Sequence, residues 1–317
     1  TATNNVAIGR DALTLSNASE NVSIGAYSMD ANTTGGNNVA VGYNVLGANT
    51  TGGQNTAVGH TALDANTDGT ENTAMGYGAL GANTTGHSNT AVGEAALDAH
   101  TTGSGNVAVG RDALGANTTA SNNTAVGLNA LLVNTTGSEN TCVGRGAGDQ
   151  VTTGANNLLI GYDAGSDALG SITTSSNYIM LGNNSISNAE IKVDWTVGSD
   201  QRDKTDIETL PDNAGLNFVN QMRPVTYVWD NRNNYYKHTD EKYGERDHSK
   251  KSTTKQIGFI AQEVKAIEES IGWTDDHIVN TSNDQSYKMM YSQVIPILTK
   301  AVQELSAKVE ELEDKLK

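Results

Sequence analysis

The sequence predicts a mainly β chain in which a parallel β-roll, or β-solenoid, is followed by a small α+β domain that ends in a long helix. Three observations predict this fold class. A strict repeat of about 17 residues runs through the first half, the composition changes near residue 199, and a heptad pattern of apolar residues closes the chain. We place the repeat at 1–182, a connector at 183–198 and the second domain at 199–317.

A glycine marks each repeat and recurs after one step of 16 residues and then eight steps of 17. An asparagine stands four residues before it and a larger apolar residue immediately before it. The residue two before is small in every repeat but the last of these, where it is Leu159, and in most repeats a leucine stands four after. A period this short and strict is typical of stacked coils, with one coil per period. The repeat glycines are Gly9, Gly25, Gly42, Gly59, Gly76, Gly93, Gly110, Gly127, Gly144 and Gly161, and a further turn ends at Gly182.

The run from asparagine to glycine supplies the short strand of each coil. Neighbouring side chains of a strand point to opposite faces, so the column of Ala57 and the column of Val58 face opposite ways although both are apolar. One face fills the coil, and the other needs a second apolar surface, for which another copy of the chain is the simplest partner. Segments such as Ala48–Gly52 are predicted turns in which glycine is free to take positive φ. Eleven coils would form a rod of roughly 50 Å.

The consensus Asn-x-Ala-Val/Ile-Gly-x-x-Ala-Leu, seen in residues 55–63, resembles the heads of trimeric autotransporter adhesins. Those heads are left-handed parallel β-rolls assembled as trimers, and similar repeats occur in bacteriophage tail fibres. The resemblance covers about residues 4–182, with coils that are somewhat longer here. It implies a homotrimeric fibre or adhesin segment.

The second half has another composition and its own motifs. It contains all 3 Pro and only 4 of the 34 Gly. Four motifs in order, Gly198–Ile207, Met222–Trp229, Gly258–Val264 and Tyr291–Leu298, resemble the C-terminal intramolecular chaperone and auto-protease domain of phage endosialidases and tail fibres. A relative of that domain occurs in myelin-gene regulatory factors. The resemblance spans about residues 199–317.

Two residues at the start of this domain have the chemistry of a self-cleaving site. A serine hydroxyl becomes a good nucleophile only when a base takes its proton, and lysine is a base only when it is neutral. Ser199 and Lys204 lie five residues apart, so one turn can bring them together. The resemblance implies that Ser199 is the nucleophile and Lys204 the base. Arg202 would favour the neutral amine, whereas Asp200 and Asp203 would oppose it unless they point away or orient the pair.

The bond that is cut lies beside Ser199. The resemblance implies cleavage between Ser199 and Asp200. Attack by the Ser199 hydroxyl on the preceding carbonyl, an N→O acyl shift, would instead cut between Gly198 and Ser199. Both bonds remain candidates.

The last segment is a predicted helix with a heptad seam over three repeats. Valine or isoleucine alternating with leucine favours two-stranded coiled coils, but both resemblances imply three chains, and we expect a homotrimer. The helix would pack between chains or back onto its own domain. The seam residues are Ile295, Leu298, Val302, Leu305, Val309, Leu312 and Leu316.

Charge and composition exclude several classes of function. A net charge of −16 argues against binding nucleic acid or anionic lipid, and no apolar stretch is long enough for a membrane-spanning helix. One Cys excludes a disulfide scaffold and a cysteine zinc site, and the 6 His show no metal-ligand spacing. We therefore expect no cofactor and no metal.

The two halves together predict a segment of a phage tail fibre or spike, made in the host cytoplasm and carried on the virion. Its C-terminal domain would trimerise and register the β-roll and then release itself, and the rod would contribute to attachment to a host-surface glycan or other envelope receptor. The alternative is a bacterial surface adhesin or structural solenoid with a permanent, non-cleaving trimerisation cap. A glycan-cleaving tailspike needs paired carboxylates in a groove, and an ice-binding solenoid needs a flat threonine face. The repeats predict neither.

Overall fold

A computed structural model of the chain describes residues 2–166, 172–183, 185–186, 199, 201–230, 245–275, 277–281 and 287–317. The chain forms two compact units, Thr1–Asn188 and Ala189–Lys317. Most of the expected connector, 183–198, lies outside the described residues. The predicted fold class is confirmed: the first unit is a parallel β-solenoid, and the second is a small α+β unit that ends in a long helix.

The solenoid contributes one three-residue strand per coil to a single parallel sheet, in which the strands follow one another in chain order. The register is that of the repeat, so that Ala57 lies opposite Ala40 on one side and Ala74 on the other. The strands are β1 (Val6–Ile8), β2 (Val22–Ile24), β3 (Val39–Val41), β4 (Thr56–Val58), β5 (Thr73–Met75), β6 (Thr90–Val92), β7 (Val107–Val109), β8 (Thr124–Val126), β9 (Thr141–Val143), β10 (Leu158–Ile160) and β11 (Ile179–Leu181).

The middle residue of each strand points into the coil, and its two neighbours point outward. Ala57 is fully buried, whereas Thr56 and Val58 are only partly buried, as the two-column pattern predicts. The repeat leucine completes the core: Leu63 is fully buried and has a φ of +53°. A left-handed backbone costs a leucine roughly 1–2 kcal/mol, which its complete burial offsets.

The expected role of the turn glycines is wrong. Gly52 is absent from the residues with positive φ, and it must be glycine because a Cβ there would lie 2.4 Å from the carbonyl oxygen of Gly69 in the next coil. The left-handed backbone occurs instead in the repeat glycines: Gly59 has a φ of +145°, and a Cβ there would lie 2.3 Å from the carbonyl oxygen of Gly76. Close stacking of coils therefore selects glycine at both positions.

Two columns of buried asparagines hydrogen-bond to the backbone and to one another inside the solenoid. In the first column, the Oδ1 of Asn38 accepts from the backbone N–H of Asn55 at 2.9 Å, and the Nδ2 of Asn55 donates to a turn carbonyl at 2.9 Å. In the second, the Nδ2 of Asn66 donates to the Oδ1 of Asn49 at 2.8 Å. The side-chain amides thus form hydrogen bonds from one coil to the next, in addition to those of the backbone. Cys142 lies in the buried alanine column, where burial raises the pKa of its thiol to about 12.

The C-terminal unit packs its helices around one apolar cluster that includes Phe218, Val264 and Ile278. Strands β12 and β13 pair antiparallel, as do β14 and β15. The elements are α1 (Leu216–Gln221), β12 (Val225–Val228), β13 (Lys255–Gly258), α2 (Ala261–Ser270), β14 (Val279–Asn280), β15 (Lys288–Met289) and α3 (Val294–Lys315).

One side of α3 is fixed to the rest of this unit. Val294, Ile297 and Ala301 are buried on that side. Further along the helix, the Oε2 of Glu304 accepts the backbone N–H of Leu216 at 2.8 Å, a bond that lowers the pKa of the Glu304 carboxyl. A Cβ on Gly215 would lie 2.3 Å from the Oε1 of Glu304, so a side chain there would displace this carboxylate from its bond with Leu216. Among the described residues, no helix is both long enough and apolar enough to cross a membrane.

Candidate functional site

A short turn at the start of the second unit brings the predicted serine and lysine together. Residues Gln201–Asp203 form one turn of 3-10 helix, which the backbone N–H of Lys204 closes by donating to the carbonyl of Gln201 at 3.2 Å. The chain thereby folds back, and the Nζ of Lys204 donates to the Oγ of Ser199 at 2.7 Å. This is the distance over which a proton can pass directly between the two groups.

The other predicted site residues are only partly described. Arg202 lies in the 3-10 turn with an exposed side chain. Asp203 ends the same turn. Gly198 and Asp200 lie outside the described residues, so the bonds on either side of Ser199 have no described geometry.

Both side chains of the serine–lysine pair are exposed in the single chain. The C-terminal unit has a cavity of about 290 Å³, which the sequence did not predict, and its lining includes Glu208, Trp273 and His277 but neither Ser199 nor Lys204. Within the part of the chain that the structure describes, no three His, Cys, Asp or Glu residues are grouped so that they could hold a metal ion. The pair therefore places a hydroxyl and an amine together on an open surface.

Two long apolar surfaces are exposed, one on each unit. On the solenoid, the outward column beside the repeat glycines includes Ile8, Met75 and Ile160, which are 58%, 45% and 41% exposed. On α3, the six residues of the predicted heptad seam from Ile295 to Leu312 are between 45% and 65% exposed, and Leu316, directly after the helix, is 87% exposed. The seam and the buried side of α3 are different sets of residues, so docking onto its own unit leaves the seam free.

Part of the second unit matches a known protein family. Residues 199–273 match the peptidase family S74, described as "Chaperone of endosialidase". The matched segment begins at Ser199 and contains Lys204, so the pair at 2.7 Å lies at its N-terminal end. This confirms the resemblance over residues 199–273, and the motif Tyr291–Leu298 lies outside the matched segment.

Among solved structures, the chain is similar to the crystal structure of the collagen-binding domain of the Yersinia adhesin YadA. The identity is 19%, the alignment covers 64% of this chain and 93% of that one, and the TM-score is 0.32. No curated protein sequence matches the chain.

Proposed function

We propose that the chain is a segment of a phage tail fibre or spike whose C-terminal unit trimerises the solenoid and then cuts itself off beside Ser199. The observation that carries the proposal is the hydrogen bond of 2.7 Å between Lys204 Nζ and Ser199 Oγ, within a segment that matches a peptidase family of endosialidase chaperones. Chaperoning and self-cleavage then belong to one domain.

The chemistry needs Lys204 as the neutral amine. It accepts the proton of the Ser199 hydroxyl, and the Oγ attacks a neighbouring peptide carbonyl. If that carbonyl belongs to Gly198, the C–N bond breaks as the C–Oγ bond forms, and the amine of Ser199 leaves with the proton that Lys204 returns. Water then hydrolyses the ester between Gly198 and the Ser199 Oγ. The other candidate bond is the one between Ser199 and Asp200. Its cleavage gives two fragments that each differ by one residue in length from those of the first cut.

The two exposed apolar surfaces support assembly into a homotrimer. Large apolar patches are uncommon on proteins that function as single chains. The outward solenoid column and the α3 seam each run along their unit, so packing of copies side by side would cover both. We take the number of chains to be three rather than two because the families that the two halves resemble form trimers.

A trimerising domain would solve a folding problem of the solenoid. Nearly identical coils leave the register between chains poorly specified, and long-range pairing has an early cost in chain entropy. A domain that holds three chains at one end fixes the register. Once it has been removed, the assembled rod is trapped kinetically, because unfolded chains would have no template for reassembly. The rod would then contribute to attachment to a host-cell surface, with a glycan as the expected receptor.

One observation favours a second candidate function. Ser199 and Lys204 are both exposed in the single chain, and an exposed lysine lacks the burial that favours a neutral amine. If nothing covers the pair in the assembly, the unit is a permanent trimerisation cap on a surface adhesin or structural solenoid.

The test is to measure the intact mass of freshly expressed chain. Beside wild type we would place Ser199→Ala, Lys204→Ala and Lys204→Arg, the last of which retains the cation but has no neutral form at working pH. Ser249→Ala and Lys251→Ala are matched controls of the same residue types. We expect wild type and controls to split into fragments of 199 and 118 residues (317 − 199 = 118) or 198 and 119 (317 − 198 = 119), and the three site variants to stay whole.

Either outcome is informative about the class of protein. An uncut wild-type chain of 33.2 kDa that is still trimeric would contradict self-cleavage and favour the permanent cap. Cleavage that persists in Ser199→Ala would reject Ser199 as the nucleophile.

A further inference from the structure

One column of the solenoid differs from all the others in its chemistry. It consists of the residues immediately after the repeat glycines. Among the described residues of the first unit, this column holds every arginine and three of the five tyrosines, whereas most neighbouring positions carry Asn, Thr, Ala or Gly. Coil packing fixes those neighbours, but it does not fix this column, whose side chains point outward. The residues are Arg10, Arg111, Arg145, Tyr43, Tyr77 and Tyr162.

Four rings follow one another on consecutive coils at the N-terminal end of the solenoid. Three belong to this column, and the fourth, Tyr27, stands one position further along because Ala26 occupies the column in that coil. We call Tyr27, Tyr43, His60 and Tyr77 the aromatic stripe. The ring of His60 stacks on Tyr43 with centroids 5.0 Å apart and on Tyr77 at 5.3 Å, with interplanar angles of 21° and 17°. Tyr27 meets Tyr43 edge-on at 5.8 Å. Arg10 continues the stripe, with its guanidinium 4.4 Å from the centre of the Tyr27 ring.

The stacked rings present their edges and polar ends, because neighbouring rings cover much of their faces. Tyr43 is 48% exposed and Tyr77 is 62% exposed. Aromatic edges carry partial positive charge, and tyrosine hydroxyls and an arginine add hydrogen-bond donors. The stripe is thus a donor-rich ridge on an acidic protein, and it favours a partner rich in oxygen acceptors. Stacking also fixes the rings before binding, which reduces the entropic cost of association.

Backbone carbonyls beneath the stripe are already used by the solenoid. The carbonyls of Arg10, Tyr43 and His60 accept N–H groups of the following coil at 2.9, 3.0 and 3.0 Å. These carbonyls cannot accept from an extended peptide that lies along the stripe, so the argument for recognition rests on the side chains. The next column offers short polar groups such as Asn44 and Thr61, which suit hydroxyl partners.

The shape of the stripe also restricts the partner. It is one residue wide and four coils long, whereas a stable protein interface needs a broad patch of about 800 Å² on each side. A single file of donors at the coil spacing of about 4.8 Å instead matches a linear polymer whose units have about the length of one sugar ring.

We propose that the aromatic stripe is a binding site for a linear polysaccharide that lies along the solenoid from Arg10 to Tyr77. This deepens the proposed function, since it rests on the attachment role and gives it a place and a ligand class. Tyrosine hydroxyls, His60 and Arg10 bind the sugar oxygens, and Asn44 and Thr61 contact hydroxyls beside them.

The test uses the full chain on an array of immobilised linear bacterial polysaccharides, including lipid-free O-polysaccharides and capsular polysaccharides, with purified outer-membrane proteins as a separate arm. The variant is Tyr43→Ala with Tyr77→Ala. The matched control is Leu128→Ala, which lies in the same column but outside the stripe. We expect wild type to bind at least one polysaccharide and the double variant to lose affinity by at least about tenfold. The control should stay within about twofold of wild type.

Three results would overturn the inference: binding to no polysaccharide, equal binding by the double variant, or binding to the protein arm alone. Fragment masses and subunit number, measured on the same preparation, keep this failure separate from that of the proposed function. If the chain cuts itself and forms trimers but binds no polysaccharide, the proposed chaperone and self-cleavage function stands. Only the proposed binding role of the aromatic stripe is then rejected. Circular dichroism of the double variant shows whether the solenoid is intact.

Discussion

A single histidine interrupts one of the asparagine columns. Asn32, Asn49, Asn66 and Asn83 each lie 17 residues apart, and the next position in the column is His100, which is fully buried. Its Nδ1 lies 2.9 Å from the Oδ1 of Asn117 and its Nε2 lies 2.8 Å from the carbonyl oxygen of Gly103. Neither nitrogen reaches back to Asn83, whose Oδ1 is buried with no hydrogen-bond partner among the described residues. The column is therefore broken at this coil.

His100→Asn should stabilise the solenoid. An amide nitrogen has two N–H groups, so an asparagine can donate both to its own turn and to the preceding coil, as Asn83 does at 3.2 Å and 2.8 Å. Pairing the buried Oδ1 of Asn83 is worth about 1 kcal/mol. We expect the urea midpoint of the solenoid, followed by circular dichroism, to rise accordingly. Asn66→His, the reverse change in an intact part of the column, should lower it, and an equal response to both variants would contradict the account.

The long helix α3 has two apolar sides with different environments. One side of this helix is buried through Val294, Ile297 and Ala301 and is fixed by Glu304, while its heptad seam faces solvent. A helix that only completed its own unit would not need a second apolar side. The seam is available for other copies of the chain without unfolding anything.

Charges placed in the seam should prevent assembly without unfolding the unit. The variant is Leu305→Asp with Leu312→Asp, in a Ser199→Ala background that keeps the domain attached. Both leucines are more than half exposed in the single chain, so their change removes little packing from the unit. Burying carboxylates between helices is costly, and we expect the trimer fraction after dilution from urea to fall at least about tenfold. Light scattering after size exclusion measures it, and Glu310→Gln on the same helix is the control. Undiminished trimer would exclude the seam as the assembly surface.

For the whole molecule, self-cleavage should change the reversibility of folding. The uncut Ser199→Ala chain carries its own trimerising domain and should recover its trimer after denaturation and dilution. The cleaved wild-type solenoid, freed of the domain, should resist denaturant for longer than equilibrium stability predicts and then fail to refold. The measurement is the recovered trimer fraction at matched chain concentration. Equal recovery of both would show that the domain is not needed as a template.

The repeating parts of the fold could be predicted from the sequence. The parts that depend on contacts between coils could not. The strand in each coil, the opposite facing of the alanine and valine columns and the heptad seam follow from periodicity, which is a local property of the chain. Which of the two columns is buried did not follow, because both are apolar. The reason for Gly52 did not, because it depends on a carbonyl that lies 17 residues further on. The aromatic stripe was missed for a related reason: Tyr43, His60 and Tyr77 look like scattered exceptions until the coils bring their rings together.

At the candidate site, too, one property could be predicted from the sequence and another could not. The spacing of Ser199 and Lys204 permits a contact, and the 3-10 turn between them makes it. Exposure of the pair could not be deduced from spacing, since it depends on which surfaces the rest of the domain covers.

The asparagine columns and the backbone bonds between coils also set the mechanical behaviour of the solenoid. Both run from each coil to the next, so tension along the axis acts on the coils in series, and the weakest junction yields first. Among the described residues, the same asparagine column has two buried amide atoms without a hydrogen-bond partner, the Oδ1 of Asn83 beside His100 and the Nδ2 of Asn134, and we expect yielding to begin at one of these two places. Each coil that yields releases 17 residues and roughly 50 Å of slack. We therefore expect the solenoid to lengthen in steps under load, while coils away from the junction that has yielded remain folded.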